Sequence, residues 1–260
     1  MVVGQLGSIF FDMNIVCLIQ ARMSSTRLPG KVLMNLRDKP VIAHIISSMR
    51  GSTLINKIVV VTTTNPQDDI LVEYLKKNNY EFFRGSENDV LDRYITASEK
   101  YKADVVVRIT ADCPLVDSDI VDSIIKMAIE KKADYVSNGI KRTFPDGYDV
   151  EVISYPILKK IQSLTQDPSD KEHVTRYILN NQKKFTCLNF EAPANACHPE
   201  WRLTLDTIED FALIEKIFDS FPVNYQIKYN DVLNFLTNKP ELISINASLS
   251  LYGNTNKNEK

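Results

Sequence analysis

Three short runs of β-branched and apolar residues, 14–20 (NIVCLIQ), 57–63 (KIVVVTT) and 104–109 (DVVVRI), constrain this chain more than any other feature. Each is apolar almost without a break, the pattern of a strand covered on both faces rather than one with a wet side. Between them lie stretches 41–49, 68–77 and 89–101, whose apolar residues recur at roughly helical spacing. Strand and helix in alternation predict an α/β fold with a mostly parallel central sheet flanked by helices. Beyond Asp112 the pattern predicts a helix over 117–131, a strand near 135–136, an irregular stretch over 137–148 and a strand over 149–153. One helix is then expected over 168–181, begun at a Ser169/Asp170 cap, and a short strand over 202–205 that delivers Asp206 into another helix. Residues 1–13 read as a loose leader, with Met13 as serviceable a start as Met1, and 247–260 as a polar tail.

Composition narrows the partners. With 260 residues the chain is long enough to bury one large core without a disulfide or a metal. Thirty-one basic against 33 acidic residues leave −2, which argues against a nucleic-acid coat or a membrane-surface binder, so any phosphate chemistry must be local. The four cysteines form no CxxC pair and the three histidines no zinc spacing, which fits a reduced, cytoplasmic setting. The apolar run 9–11 is too short for a signal peptide or a membrane span.

The densest chemistry lies in the loop after the first strand, QARMSSTRLPGK over 20–31, which carries Arg22, Arg27 and Lys31. Over 22–39 five basic residues face one acid, Asp38. In an open α/β sheet, ligands bind at the carboxyl ends of strands, so this loop would offer hydroxyls, guanidinia and an ammonium to a polyphosphate. It is not a Walker A loop: Ser25 stands where the first Gly is required, and Val32 follows Lys31 where Ser or Thr should hold magnesium. The alternative is a solvated basic loop. Asp112 and Asp206 each end a strand, where a carboxylate can hold a hard divalent cation. Each could instead be a helix N-cap, and Asp206 and Glu209 have capping-box spacing. Asp89 and Arg93, one turn apart, are either nucleotide contacts or a surface ion pair. Arg108 either lines the pocket or pairs with an acid. Cys113 reads as a buried neighbour rather than a nucleophile, and Trp201 as a core residue.

The segment RMSSTRLPGK, 22–31, resembles the nucleotide-binding loop of the sugar-acid cytidylyltransferases, the family of CMP-Kdo and CMP-sialic acid synthetases. Five ordered blocks, GSENDVLDRY (85–94), TADCP (110–114), FPDGYDVE (144–151), EHVT (172–175) and LDTIED (205–210), resemble its SpsF-type branch, and the likeness covers about 14–246. The resemblance implies a single domain of Rossmann-like nucleotidyltransferase fold. It has a nucleotide half over about 14–136, a small dimerisation and acceptor lobe over about 137–200, a return to the core over 201–246, and pairing as a homodimer. It implies magnesium-dependent transfer of CMP from CTP to an acidic sugar or related anion in surface-glycan precursor synthesis, with release of pyrophosphate. Carried over by position, Arg22, Lys31 and Asp112 would be catalytic. Gln20, Ala21, Ser25, Arg27, Ser86, Asp89, Arg93 and Ala111 would surround the nucleotide, and Asp112 and Asp206 would hold Mg2+. Asp146, Tyr148, Glu151, His173 and Arg176 would meet the acceptor. Cys113 stands where the Kdo enzymes have Glu, which argues against Kdo as that acceptor. The rival readings are another nucleotidyltransferase, a metal-dependent glycosyltransferase of similar fold, or a non-catalytic nucleotide-binding relative.

Overall fold

The structure, a computed structural model, describes residues 13–249 and 251. The expected leader, all but Met13, and most of the expected tail lie outside the described residues. The strands are β1 (Ile15–Gln20), β2 (Asn35–Leu36), β3 (Lys39–Pro40), β4 (Lys57–Thr63), β5 (Phe82–Gly85), β6 (Val105–Thr110), β7 (Tyr135–Ser137), β8 (Glu151–Ser154) and β9 (Cys187–Asn189). Seven of them form one sheet in the order β5-β4-β1-β6-β8-β7-β9, while β2 and β3 make a small separate hairpin. β5, β4, β1 and β6 pair in parallel, and β8 is inserted antiparallel to both β6 and β7.

The helices are α1 (Val41–Met49), α2 (Asp69–Lys77), α3 (Val90–Lys100), α4 (Ser118–Glu130), α5 (Tyr155–Leu164), α6 (Pro168–Glu172), α7 (Arg176–Asn180), α8 (Ile208–Asp219) and α9 (Tyr229–Asn238). β1 shows why its run has no polar break. Ile15, Cys17 and Ile19 point into a core shared with α1, α2, α4, α8 and α9. Val16 and Leu18 point into a second core shared with α3, α5 and α7. Successive side chains alternate between faces, and here both faces are covered.

Segment 137–200 supplies β8 and β9 to the central sheet. Three expectations are corrected. The single helix over 168–181 is two, because Val174, fully buried, has φ +48° and breaks the chain into a corner between α6 and α7. A β-branched residue in that region is strained, by about 1–3 kcal/mol. The N-cap of α6 is Asp167, whose side chain accepts from the Ser169 N–H at 2.8 Å, rather than Ser169 or Asp170. The expected strand at 202–205 is a single bridge from Arg202 to Asp146 beside an extended segment.

Candidate active site

From β1 the chain first builds outward through β4 to β5, then crosses back to place β6 on the other side of β1. That reversal leaves a crevice at the carboxyl ends of β1 and β6, the position where open α/β sheets take ligands. A cleft of about 360 Å³ lies there, within the size range of small-ligand sites.

The basic loop forms one wall. Asp68, almost fully buried, accepts the Met23 N–H at 2.7 Å and also binds the Thr63 backbone N–H (3.2 Å) and hydroxyl, tying the loop to the end of β4. The Gly30 N–H closes the loop onto the Met23 carbonyl at 2.9 Å. Gly30 has φ +73°, a left-handed turn open to glycine, which starts the short turn Lys31–Leu33. Lys31 thereby enters the interior and is only 8% exposed. Arg22 stays exposed and, among the described residues, makes no hydrogen bond or ion pair.

Two carboxylates meet Lys31 there. Its ammonium donates to Asp206 Oδ1 at 2.9 Å and to the Leu205 carbonyl at 2.7 Å, and lies 3.7 Å from Asp112 Oδ2. The Leu205 N–H donates to the Asp112 carbonyl at 2.8 Å, so the backbone after β6 and the segment before α8 run side by side into the cleft. The loop after β6 and the segment before α8 therefore converge on one ammonium. Asp206 is not the cap of α8: Thr207 is, in a capping box with Asp210. Burial raises the Asp206 pKa, but Lys31, Arg27 and Arg202 outweigh it and hold the carboxyl below its ordinary value.

Asp206 is fixed from behind. Arg202, 4% exposed, grips Asp210 with a fork (Nε to Oδ1 and Nη2 to Oδ2, both 2.9 Å), donates to Asp206 at 3.2 Å, and reaches Asp146 at 3.3 Å. The FPDGYDVE block is brought to this point by Gly147, with φ +106°, where a Cβ would collide with the Leu203 backbone. Asp146 thus serves the Arg202 cluster.

The floor holds a second buried pair. Arg108 donates to Glu151 and, at 3.2 Å, to Gln20 Oε1, and its guanidinium lies over the Tyr94 ring. Glu151 also accepts from the Tyr135 and Thr175 hydroxyls, both at 2.6 Å. Burial works against its charge, yet Arg108 and the two hydroxyls bring its pKa below the ordinary value. The Cys113 thiol is pushed well up by burial and by Asp112, which removes it as a thiolate nucleophile.

Of the expected residues, Gln20, Ala21, Arg22, Ser25, Arg27, Lys31, Ala111, Asp112, His173 and Asp206 all line this cleft. Seven others do not. Ser86 and Asp89 organise the start of α3, Asp89 as its N-cap, and buried Arg93 donates to the Ser86 and Glu87 carbonyls. Tyr148 is buried within the core, and Arg176 pairs with Asp167 and Asp170. Asp146 and Glu151 lie behind Arg202 and Arg108. Thr26, Val32, Arg108, Thr110 and Glu172 complete the lining. Arg108 had a legible signal, a lone charge near the carboxyl end of an apolar strand; Glu172 had none beyond its neighbour His173.

No cluster of three or more His, Cys, Asp or Glu residues suited to a metal occurs among the described residues. Asp112 and Asp206 instead form a sparse, all-oxygen pair, and Asp112 is partly exposed, its carboxylate meeting, among the described residues, only the Cys113 thiol at 3.5 Å besides Lys31. This suits magnesium, which takes one or two carboxylates and fills its other positions with water and phosphate oxygens. No helix among the described residues is long and apolar enough to cross a membrane.

Residues 16–239 match the model of a family described as cytidylyltransferase. The chain is 33% identical over 237 residues to the spore coat polysaccharide biosynthesis protein SpsF of Bacillus subtilis, covering 88% of this chain and 96% of that one. It superposes on a cytidylyltransferase of Leptospira borgpetersenii with a TM-score of 0.85 at 33% identity, over 92% of this chain and 99% of that one. A CMP-2-keto-3-deoxy-manno-octonic acid synthetase solved with CTP has the same fold, with a TM-score of 0.62 at 15% identity, over 80% of this chain and 99% of that one.

Proposed function

Because this chain belongs to the cytidylyltransferase family, in its SpsF-type branch, we propose that the cleft binds CTP beside an anionic sugar acid and transfers CMP to it with magnesium as the cation. Membership makes it a CTP-dependent nucleotidyltransferase; the acceptor, the metal and a role in surface-glycan precursor synthesis, as a cytoplasmic homodimer, are our reading. The single observation that carries it is the Lys31 ammonium between Asp112 and Asp206 in a cleft also lined by the exposed Arg22. Cations alone would suit any anion. Two acids set among them suit a polyphosphate that arrives with a divalent ion, because the acids would otherwise repel it.

In the reaction an acceptor oxygen bonds to the α-phosphorus of CTP, the bond from that phosphorus to the bridging oxygen breaks, and pyrophosphate leaves. Arg22 and Lys31 grip the triphosphate and stabilise the charge that grows on the leaving group. Ser25 and Arg27 complete the loop side. Asp112 and Asp206 would hold magnesium, which when bound supplies neutralisation of the phosphate oxygens. His173, presented to the cleft by the strained corner at Val174, and Arg108 on the floor face the acceptor end.

A thermal-shift screen of the four nucleoside triphosphates, each with and without magnesium, tests the nucleotide and the ion together, since a ligand that binds only the folded state raises Tm by mass action. CTP with magnesium should raise it most. Pyrophosphate release from CTP with a panel of carboxylated sugars then identifies the acceptor and separates this reading from a glycosyltransferase. Asp112→Ala should abolish release with Tm retained. Full activity in that variant, or equal stabilisation by all four nucleotides, overturns the reading.

A further inference from the structure

The Asp206 carboxylate carries three cationic groups before any ligand arrives. Lys31 is on Oδ1 at 2.9 Å, while Oδ2 takes both Arg27 at 2.8 Å and Arg202 at 3.2 Å. Each carboxylate oxygen offers about two lone-pair sites, so Oδ2 is filled by the two guanidinia and a metal ion can use that oxygen only if one of them withdraws.

Two of the three are held in place. Arg202 is buried and bound to Asp146 and Asp210 as well. Lys31 has a side chain only 10% exposed and is also bound to the Leu205 carbonyl. Arg27 differs on both counts. Its side chain is 51% exposed, and its only polar contact among the described residues is Asp206. The backbone that carries it is closed by the Gly30–Met23 hydrogen bond, so the side chain can swing without the loop opening.

We propose that Arg27 stands in for the divalent cation at Asp206, and that an incoming triphosphate draws it off, so that nucleotide and cation bind with positive coupling. This rests on the preceding reading of the cleft. Phosphate oxygens present the guanidinium with a two-pronged partner that matches its fork, a better match than the one shared carboxylate oxygen. Once Arg27 moves, Asp206 Oδ2 keeps only the fixed Arg202 and gains room for the ion. Before it moves, the cleft is neutralised internally and takes a cation poorly. The coupling is reciprocal: whatever the nucleotide adds to cation affinity, the cation adds to nucleotide affinity.

The test uses Mn2+ alone, titrated into the full-length protein without nucleotide and followed by the loss of its free-ion electron paramagnetic resonance signal. An Arg27–Asp206 pair with one half-exposed partner is worth little in water, so Arg27→Gln should bind Mn2+ about two- to five-fold more tightly than wild type. Asp206→Asn should bind it more weakly than either. Calorimetric titration of CTP in EDTA should show weaker binding to Arg27→Gln, because the guanidinium that would meet the phosphates is gone. A purely structural ion pair would change stability and leave Mn2+ affinity alone. If Arg27→Gln binds Mn2+ no more tightly than wild type, including the case where neither binds measurably, the proposal is overturned. If Asp206→Asn still weakens Mn2+ in that event, the reading of the cleft as a metal site survives. If Asp206→Asn leaves Mn2+ affinity unchanged, the assignment of Asp206 to the ion falls, and this proposal with it.

Discussion

Asp210→Asn changes one buried atom and leaves the shape of the side chain intact. Asp210 is fully buried, and its side-chain partners are all donors: Arg202 Nε and the Asn246 amide on Oδ1, and Arg202 Nη2 with the Asp206 and Thr207 backbone N–H groups on Oδ2. An amide has one oxygen, so its NH2 must face either the two donors on Oδ1 or the three on Oδ2. The favoured orientation keeps the oxygen on the Oδ2 side and strands Arg202 Nε and Asn246. Losing one partner of a buried ion pair typically costs about 3–5 kcal/mol. Asp146 and Asp206 remain on Arg202, which places the expected loss at the low end, about 3 kcal/mol. For a chain of this length that is a fall in Tm of roughly 6–12 °C. Trp201, the only tryptophan, is largely buried next to Arg202 in the chain, so its fluorescence during urea unfolding reports this region directly. A loss below about 1 kcal/mol would show that the cluster tolerates an uncharged member, and the claim that Asp210 anchors Asp206 would fail.

Two further outcomes follow from the buried groups. Glu151 has a folded-state pKa below its ordinary value of 4.5, so its stabilisation is complete above about pH 5 and is lost as the pH falls through the lowered value. The stability gap between wild type and Glu151→Gln should therefore stay constant near neutrality and shrink in acid, and urea midpoints at pH 7 and pH 3 measure it; a gap that grows in acid contradicts the assignment. Burial raises the Cys17 and Cys113 thiols, so a thiol-reactive chromogenic disulfide at neutral pH should modify Cys187 and Cys197 first and reach the other two only on unfolding. Rapid reaction of all four would contradict the burial of Cys17 within β1 and of Cys113 after β6.

The parts legible in the sequence are those governed by short-range pattern. The runs at 57–63 and 41–49 appear as β4 and α1 with the expected bounds, because apolar periodicity fixes a doubly covered strand and an amphipathic helix locally. β5 and β9 went unread: they are short, half-buried segments whose strand character comes from a neighbour. The corner at Val174 is also hidden, since a β-branched residue gives no warning of a left-handed turn. In the cleft, loop 20–31 and the acids Asp112 and Asp206 are legible from type and position, although the strand expected before Asp206 does not form. The protein partners of Arg93, Asp146 and Glu151 are not legible, because charge in a motif looks the same whether it faces a substrate or another side chain; the fold sets them against the Ser86 carbonyl, Arg202 and Arg108 respectively.

Asn246 lies near the end of the described chain, yet its amide donates to the Arg202 carbonyl at 3.0 Å and to Asp210 at 2.8 Å. The cationic loop, by contrast, begins at residue 20. A nascent chain emerging from the ribosome can assemble most of the sheet while the anchor of the Asp206 arm is still inside the exit tunnel. Full anchoring of the second acid thus waits until residue 246 has emerged, and a polypeptide cut short before that asparagine would lack one of the donors that hold Asp210 behind Asp206.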